Sequence, residues 1–463
     1  MCAEQITISP VDGSAYVTRN QADRPAIDST LDRARAAQKK WKTVALANRK
    51  ELCCNAVDVL VAKKTEIAAE ITWQMGRPIR SSAGELGGLE ERARTMIELA
   101  DEGLATVRLP EKPGFERWIQ REPVGVVFVV APWNYPYLTA INAIMPAILA
   151  GNSVILKHSA QTPLCAERFY QAFQAAGLPD GVFQYLHLSH EDTEAIIKDR
   201  RIDYVAFTGS VSGGAMVEHA AAGRFIGVGL ELGGKDPAYV RADADLAAAV
   251  EVTMDGAFFN SGQSCCGIER IYVHETVYDE YLRQAVTWVN NLKLGRPDEQ
   301  ETTLGPLVRS GAADFVRTQI QEATEQGAVT HISTDAFPMD KPGTAYLAPQ
   351  LLTNVNHDMR VMTEESFGPV VGVQKVRSDE EAIALMNDSE YGLTAAIFTT
   401  DIERGVELGQ QLETGTFFIN RCDYLDPELA WTGIKNSGRG CTLSVIGYES
   451  LTRPKSFHVK TGH

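Results

Sequence analysis

The stretch Val124–Lys157, "VGVVFVVAPWNYPYLTAINAIMPAILAGNSVILK", sets the fold class of this chain. A valine-rich run is followed by a turn, a helical pattern that opens after Tyr137, and a second apolar run, "SVIL". The alternation continues with helices after Pro163 and Asp192 and with the apolar runs "GVFQYL" and "DYVAFTG". Repeated strand and helix units predict a parallel, doubly wound α/β sheet whose strand ends face a ligand.

The regions on either side of this sheet have different patterns. From about Ala26 to Gly103, apolar residues recur every three or four positions, which predicts helices. Arg108–Pro123, "RLPEKPGFERWIQREP", combines three prolines with an alternating run and predicts a hairpin. A second α/β region follows, with helices predicted near 246–258, 277–292, 312–327 and 380–387 and strands at "RIYVH", "AAIFTT" and "GTFFIN".

Length and charge limit the possible functions. A chain of 463 residues is expected to form two or three domains. Its net charge of −16 argues against a nucleic-acid surface and favours small-molecule partners. The start, "MCAEQITISPVDGS", has no export or transit pattern, and the longest apolar region, 137–156, is interrupted by Asn, Pro and Gly. We therefore expect a cytoplasmic protein without a membrane span.

The segment Phe258–Arg270, "FFNSGQSCCGIER", places two cysteines behind a Gly-Gln-Ser turn. Neighbouring Cα atoms are about 3.8 Å apart, so a bridge between Cys265 and Cys266 would be strained. No CxxC or HExxH spacing indicates zinc, and we predict no metal site. A nucleophilic thiolate and a buried packing role both remain open. The packing role is expected for Cys2, Cys53, Cys54, Cys165, Cys422 and Cys441.

The segment Ala206–Ala222, "AFTGSVSGGAMVEHAAA", reads as a strand, a glycine turn and a helix. Small residues there let backbone amides and the helix N-terminus approach a phosphate. The spacing of Gly209, Gly213 and Gly214 differs from the usual dinucleotide fingerprint, so a plain turn remains the alternative.

Two polar residues stand out in apolar surroundings. Glu231 in "GVGLELGGK" is either a solvent-facing acid on an edge strand or a partly buried general base with a raised pKa. Asn134 in "APWNYP" is either a turn residue or a rigid amide that stabilises an oxyanion.

Seven segments, spread in order over nearly the whole chain, together resemble the aldehyde dehydrogenase superfamily: "APWNYP", "ILKHSAQTPL", "FTGS", "LELGGK", "FFNSGQSCC", "EESFGPV" and "FFIN". We therefore expect a Rossmann-like cofactor domain (1–106 and 124–232) and a second α/β catalytic domain (233–428). A small β oligomerisation arm (107–123 and 446–463) completes this division. In the family such an arm adds strands to a neighbour's sheet, which implies a homodimer or homotetramer.

The resemblance also implies the catalytic roles. Cys265 is the expected nucleophile, with Cys266 in a flanking position that the family fills variably. Asn134 and the Cys265 N–H form the oxyanion hole, and Glu231 activates the hydrolytic water. The implied reaction is attack of the thiolate on an aldehyde, hydride transfer to the nicotinamide, and hydrolysis of the resulting thioester.

For the cofactor, the family pattern implies contacts with the adenosine ribose, the pyrophosphate and the nicotinamide ribose. Ala160 stands where many NAD-selective relatives carry a glutamate that repels a 2′-phosphate, so we predict use of both NAD and NADP. The implied cofactor residues are Trp133, Lys157, Ser159, Gly209, Ser210, Glu365 and Phe367.

For the substrate, relatives that act on succinate semialdehyde often carry arginines where this chain has Asn142 and Phe259. A neutral aliphatic or aromatic aldehyde is therefore predicted, with a semialdehyde as the alternative. Arg421 is expected either near the tunnel mouth or on the surface. The expected lining residues are Tyr135, Leu138, Asn142, Phe259, Tyr424, Leu425 and Trp431.

Three other functions would each require a different sequence feature. A coenzyme-A-acylating enzyme would characteristically lack Glu231, and a thiol hydrolase would need a histidine beside Cys265. A non-enzymatic binding protein would not need Cys265, Glu231 and Asn134 to be intact.

The segment "WTGIKNSGRGCTLS" departs from the family pattern: Thr432 replaces a glycine that is common in the family, and Cys441-Thr442 stand where the family frequently has Arg-Glu. We expect this departure to affect local packing rather than chemistry.

Overall fold

The computed structural model describes residues 3–461, so Cys2 and the last two residues of the predicted arm lie outside it. The strands within it are β1 (Glu4–Ile8), β2 (Ala15–Asn20), β3 (Val107–Arg108), β4 (Phe115–Pro123), β5 (Val126–Ala131), β6 (Ser153–His158), β7 (Phe183–Tyr185), β8 (Tyr204–Thr208), β9 (Gly227–Glu231), β10 (Asp236–Val240), β11 (Ile268–His274), β12 (Val329–Thr330), β13 (Gln350–Thr353), β14 (Val370–Val376), β15 (Tyr391–Gly392), β16 (Thr394–Phe398), β17 (Thr416–Ile419), β18 (Ile434–Lys435), β19 (Gly438–Arg439) and β20 (Thr452–Lys460).

The helices fall largely where apolar periodicity predicts them. They are α1 (Arg24–Trp41), α2 (Leu46–Ala62), α3 (Lys64–Met75), α4 (Ile79–Ser82), α5 (Gly84–Gly103), α6 (Pro136–Ala150), α7 (Pro163–Ala175), α8 (His190–Lys198), α9 (Val211–Ala221), α10 (Leu246–Phe258), α11 (Tyr278–Asn290), α12 (Ser310–Glu325), α13 (Arg360–Thr363), α14 (Asp379–Asn387) and α15 (Ile402–Gly409). Short 3₁₀ helices occupy Phe259–Gly262, Thr334–Ala336 and Val445–Tyr448.

The first large sheet has six strands in the order β7-β6-β5-β8-β9-β19, all parallel except β19. In β5, Val127 and Val129 pack in one core with α2, α5, α6 and α7. Val126, Phe128 and Val130 pack in another core with α1, α8 and α9. The two-residue alternation buries both faces of the sheet, which confirms the predicted doubly wound α/β architecture.

The strand order of this sheet creates a ligand position. From β5 the chain proceeds outward through β6 and β7, then returns to β8 and β9 on the other side. The crevice between the carboxyl ends of β5 and β8 is therefore a topological switch point. The segment that follows β5 begins at Pro132, and the segment that follows β8 begins at Gly209.

The second large sheet has the order β12-β13-β14-β11-β10-β16-β17 and is parallel apart from β12. Its two faces are covered by separate apolar cores. The loop before β11 contains Cys265, so this sheet positions the predicted nucleophile. The division into domains stays a prediction.

The predicted hairpin around Arg108–Pro123 is present as β3 and β4, with β20 paired along the other edge of β4. Trp118 of β4 stacks on Phe457 of β20 with 4.5 Å between ring centroids. Val107 and Val459 in this three-stranded sheet are exposed, as is Leu109 directly after β3.

Two features differ from simple expectations along the chain. An antiparallel hairpin, β1 and β2, precedes the first helix and was not predicted. Strand β9 is not an edge strand, because β19 from far along the chain pairs Gly438 with Glu231. The solvent-facing interpretation of Glu231 is therefore wrong. Within residues 3–461, no helix is both long and apolar enough to cross a membrane.

Candidate active site

The loop that carries Cys265 is built from unusual backbone. Asn260, Ser261 and Gly262 have positive φ values of 53°, 58° and 72°. A Cβ at Gly262 would lie 2.2 Å from the Gly368 carbonyl oxygen, so only glycine fits there. The Asn260 side chain supports the turn, since its Nδ2 donates to the carbonyl oxygens of Gln263 at 3.2 Å and Asn134 at 3.3 Å. The turn leads the chain from α10 to Cys265.

Cys265 and Glu231 line one cavity of about 130 Å³. Of the seven predicted substrate residues, six line it: Tyr135, Leu138, Asn142, Phe259, Leu425 and Trp431. Tyr424 does not, because its hydroxyl donates to Glu91 and its ring lies 3.8 Å from the Arg421 guanidinium carbon. The prediction of Tyr424 as a lining residue is therefore wrong, and Arg421 covers that ring instead.

The cavity also contains residues that the sequence analysis missed. Arg92 reaches it from α5, and Asp423 lies beside the predicted Leu425. Burial raises the pKa of Asp423 to about 6. Arg92 lies within a long amphipathic helix, where an arginine is ordinarily read as solvent-facing. Only the contact between α5 and α6 brings it to the cavity.

The thiols of Cys265 and Cys266 line the same cavity, and Ser264 Oγ lies 3.5 Å from Cys266 Sγ. The neighbouring Cys266 thiol and burial raise the pKa of Cys265 well above its ordinary value, whereas the Cys265 thiol lowers the pKa of Cys266. A nucleophilic Cys265 would therefore need a proton acceptor, and Glu231 lines the same cavity. Within residues 3–461 all seven cysteines are free, and Cys53, Cys165 and Cys422 are buried as the packing interpretation expects.

Asn134 is held from both sides. Its side-chain Nδ2 donates to the Gln263 carbonyl at 3.3 Å, next to the cysteine loop, and the residue is 4% exposed. Its own carbonyl accepts hydrogen bonds from Arg77 and Asn260. The amide group is therefore fixed beside the loop of Cys265, although Asn134 is not among the residues that line the cavity, and its role as an oxyanion donor stays a prediction.

A buried ion pair that sequence reasoning missed supports this position. Arg77 is 2% exposed, pairs with Glu85 and also donates to the Asn260 side chain at 3.2 Å. Glu85 accepts the N–H groups of Tyr137 and Leu138, at 2.9 and 3.0 Å, which begin α6. One ion pair thus holds the first turn of α6 and the Asn134 carbonyl. The only sequence signal is an arginine and a glutamate eight positions apart in the stretch "GRPIRSSAGE".

Glu231 ends β9 with its carboxylate between two hydroxyl donors. Thr208 Oγ1 donates to Oε2 at 3.0 Å, and Thr442 Oγ1 donates to Oε1 at 2.6 Å. Burial raises the pKa of Glu231, while both hydrogen bonds lower it. Thr442 also lines a smaller cavity of about 30 Å³ behind Glu231, together with Cys441. The expectation that Cys441-Thr442 affect packing alone is therefore wrong, because Thr442 contacts the predicted general base.

A groove of about 710 Å³ lies at the switch point between β5 and β8. Lys157 lines it, is buried and has no hydrogen-bond or ion-pair partner within residues 3–461; burial lowers its pKa. Ser210 Oγ caps α9 by accepting the Gly213 N–H at 3.2 Å. A free ammonium and a helix N-terminus that borders the groove fit the ribose and phosphate groups of a dinucleotide. The predicted residues in the groove are Trp133, Lys157, Ser159, Gly209 and Ser210.

The other two predicted cofactor residues occupy a neighbouring loop. Phe367 contacts Trp133 edge-on, with centroids 5.6 Å apart, and has a φ of 52°. Glu365 accepts the Gly234 N–H at 3.1 Å, and burial raises its pKa to about 8. Neither lines the groove itself. The loop therefore lies beside the groove at the Trp133 end.

A second buried ion pair holds this loop. Glu269 accepts the N–H groups of Ser366 at 2.7 Å and Phe367 at 2.9 Å, and it pairs with Lys235. Lys235 ends the motif "LELGGK", and Glu269 follows the two cysteines in "CCGIER". Charged residues inside apolar runs were the available signal. The groove also contains residues that the sequence analysis did not identify: His190, Glu191, Thr193, Glu194 and Arg309.

Comparison with known proteins gives consistent matches. Residues 3–457 match the model of the Aldehyde dehydrogenase family. The chain is 33% identical over 449 residues to a succinate-semialdehyde dehydrogenase [NADP(+)] from Deinococcus radiodurans, covering 97% of this chain and 93% of the relative. It is 33% identical to a succinate semialdehyde dehydrogenase [NAD(P)+] from Escherichia coli, covering 96% and 95%. The solved structure of a succinic semialdehyde dehydrogenase from Streptococcus pyogenes with NADP+ superposes with a TM-score of 0.94 at 30% identity, covering 98% of this chain and 100% of that one.

Proposed function

The chain belongs to the aldehyde dehydrogenase family, and we propose that it oxidises short aldehydes to carboxylic acids through a covalent intermediate on Cys265. One observation carries the proposal: the cavity that contains Cys265 and Glu231 meets the dinucleotide-sized groove at Thr208, which lines both. A thiol, a carboxylate and a cofactor groove thus converge on one point.

The residues suit a two-stage reaction. Cys265 Sγ forms a bond to the aldehyde carbon, and its proton passes to Glu231. The negative charge that develops on the carbonyl oxygen is stabilised by Asn134 Nδ2 and the Cys265 N–H. Bound NAD⁺ or NADP⁺ would supply the hydride acceptor, and loss of hydride from the tetrahedral adduct would leave a thioester on Cys265. Glu231 releases its first proton to solvent and then takes a proton from the attacking water, whose oxygen bonds to the thioester carbon while the C–S bond breaks and frees the Cys265 thiolate.

Use of both cofactors is supported by the residue at position 160. Ala160 offers no carboxylate that would repel a 2′-phosphate, and Lys157 supplies an unpaired cation in the groove. The names of the similar proteins point the same way, since one is described as NADP(+)-dependent and another as NAD(P)+-dependent.

Two substrate classes are in competition. The neutral aldehyde predicted from Asn142 and Phe259 stays a prediction, and both residues line the cavity. The similar proteins are named as succinate-semialdehyde dehydrogenases, which favours a semialdehyde. The cavity of about 130 Å³ is smaller than the roughly 300 Å³ of sites for drug-sized ligands, so either substrate is expected to be short.

The proposal is tested with the purified protein, a panel of short aldehydes, and NAD⁺ and NADP⁺ in parallel, following the absorbance of the reduced cofactor. We expect oxidation with both cofactors. Cys265→Ala should lower kcat by about 10⁴-fold or more. Cys266→Ala is the matched control, since it removes a neighbouring thiol, and should stay within a few-fold of the native protein.

Equal losses in both variants, or loss only in Cys266→Ala, would refute the assignment of the nucleophile. Formation of an acyl-coenzyme A in the presence of coenzyme A would favour the acylating alternative. Because the strands of the arm are exposed, we expect a homo-oligomer. The oligomeric state and the cytoplasmic location both stay predictions.

A further inference from the structure

Arg92 is a buried cation at the wall of the substrate cavity. It is 9% exposed and lines the same cavity as Cys265. Its Nη1 donates to the Leu138 carbonyl at 3.0 Å and to Asn142 Oδ1 at 3.3 Å. Both acceptors are neutral and lie on α6. The guanidinium is therefore oriented by α6 without being neutralised.

The hydrogen bonds of Arg92 are also incomplete. Among residues 3–461 it forms no ion pair, and no side-chain hydrogen bond from Nε or Nη2 accompanies those from Nη1. A guanidinium carries five N–H donors, and arginine is almost never buried unless it is paired. The nearby Glu85 is already engaged by Arg77 and by two backbone N–H groups. A buried arginine with free donors at a cavity wall lacks an anion.

We propose that Arg92 binds the carboxylate of the substrate, so that the preferred substrate is a short aldehyde with an anionic far end. This inference rests on the proposed function, because it assumes that the aldehyde carbon reacts at Cys265. A planar guanidinium with two free donor groups matches the two oxygens of a carboxylate. Asn142 then acts as a positioning residue that holds Arg92.

The other charges of the cavity are compatible with this orientation. Glu231 and Asp423 also line it. Arg92 forms no ion pair with either one. Glu231 accepts from Thr208 and Thr442, and the charges near Asp423 are those of Asp255 and Arg421. The carboxylate end of a substrate is expected to lie towards Arg92, because the carboxylates of Glu231 and Asp423 would repel it.

The test compares aldehydes of equal length that differ only in charge: succinate semialdehyde with butanal, and glutarate semialdehyde with pentanal. The measured quantity is the ratio of kcat/KM within each pair. We expect the native protein to favour the anionic member by about 100-fold, and Arg92→Leu to abolish that ratio. Arg92→Lys keeps the charge but not the planar fork and should keep part of the preference.

The ratio of kcat/KM within a pair separates loss of carboxylate binding from a general loss of activity. Loss of Arg92 also changes the electrostatics of Glu231, which affects both members of a pair equally. Arg49→Leu is the control, because Arg49 is equally buried at 9% exposure but does not line the cavity, and its ratio should equal the native one. Thermal melting and NADP⁺ binding check that each variant is folded.

Several results would overturn the inference. A native protein with no preference for the anionic aldehydes refutes it without any variant, as does an Arg92→Leu protein that loses activity equally on both members. If the protein oxidises neutral aldehydes through Cys265 and shows no preference for anionic ones, the role of Arg92 is refuted and the proposed function stands. If it oxidises no aldehyde, both the role of Arg92 and the proposed function are refuted.

Discussion

Two kinds of buried charge surround the candidate active site. The first kind forms ion pairs that support backbone, which we call the frame pairs: Arg77–Glu85 and Lys235–Glu269. The second kind lines a cavity or groove without an oppositely charged partner among residues 3–461, and we call them the cavity charges: Arg92, Lys157 and Glu231. The two kinds are adjacent in space but differ in what they contact.

The difference shows how buried charge is used. Glu85 accepts the N–H groups that begin α6, and Glu269 accepts those of the loop at Phe367. The carboxylates of the frame pairs therefore hold backbone N–H groups in place. The cavity charges keep donors or acceptors available to a ligand or a proton. Burying a charge is costly unless it is compensated, so an uncompensated one marks a place where compensation arrives with the ligand.

The largest expected effect comes from a cavity charge. Glu231→Gln keeps the shape of the side chain but removes the proton acceptor, so hydrolysis of the thioester should slow by about 10²- to 10⁴-fold. The first turnover of reduced cofactor should slow as well, because the same carboxylate accepts the Cys265 proton, and any acylated Cys265 that forms should accumulate. Rapid-mixing absorbance and intact-protein mass spectrometry measure the two effects.

Glu299→Gln is the control for that experiment, because Glu299 is exposed and does not line the cavity. It should behave as the native protein. Full steady-state turnover by Glu231→Gln would show that the carboxylate is not the base.

The next effect comes from a frame pair. Arg77→Met leaves Glu85 buried without its partner, and breaking a buried pair in this way costs about 3–5 kcal/mol in the free energy of unfolding. Denaturant unfolding measures the loss. The double variant Arg77→Met/Glu85→Gln removes the stranded charge and should recover part of it.

Arg77→Met also tests whether the two kinds of charge are distinct. The folded fraction of Arg77→Met should retain the native ratio of kcat/KM between anionic and neutral aldehydes, in contrast to Arg92→Leu. A changed ratio with unchanged stability would place Arg77 among the cavity charges and remove the distinction.

The smallest effect concerns the environment of Glu231. A hydrogen bond to a carboxylate favours its charged form, so the Thr442 hydroxyl lowers a pKa that burial has raised. Thr442→Val should raise that pKa, and the acid limb of the kcat profile should move to higher pH by about one unit. Thr442→Ser keeps the hydroxyl and should keep the native profile. An unmoved limb in Thr442→Val would mean that the 2.6 Å contact does not tune the base.

Some features of the fold and site are local in sequence and could be predicted. The doubly wound sheet follows from valine-rich runs separated by helical periodicity, since both patterns depend on neighbours within a few residues. The turn that precedes Cys265 is also local, because a Gly-Gln-Ser stretch lies between a helical pattern and a strand pattern. Both expectations depend only on neighbouring residues, whereas the nucleophilic role of Cys265 is implied by the family resemblance.

Other features depend on which segments meet. Glu231 reads equally well as an exposed edge residue until β19 pairs beside it, and Thr442 becomes part of the site only through that pairing. Tyr424 is an aromatic residue of the kind that lines substrate cavities, yet its hydroxyl donates to Glu91 on α5. No local pattern determines these contacts.

The chain's own pattern was sufficient for the α/β class, for the turn that precedes Cys265 and for the expectation that the strand ends face a ligand, whereas the strand order that opens a crevice between β5 and β8 came from the packed molecule. Only the packed molecule decided that Arg77 is paired and Arg92 is not, although both are arginines near the same helices. The physical reason is that periodicity and turn chemistry act over a few residues, whereas the compensation of a buried charge depends on atoms brought together from distant parts of the chain.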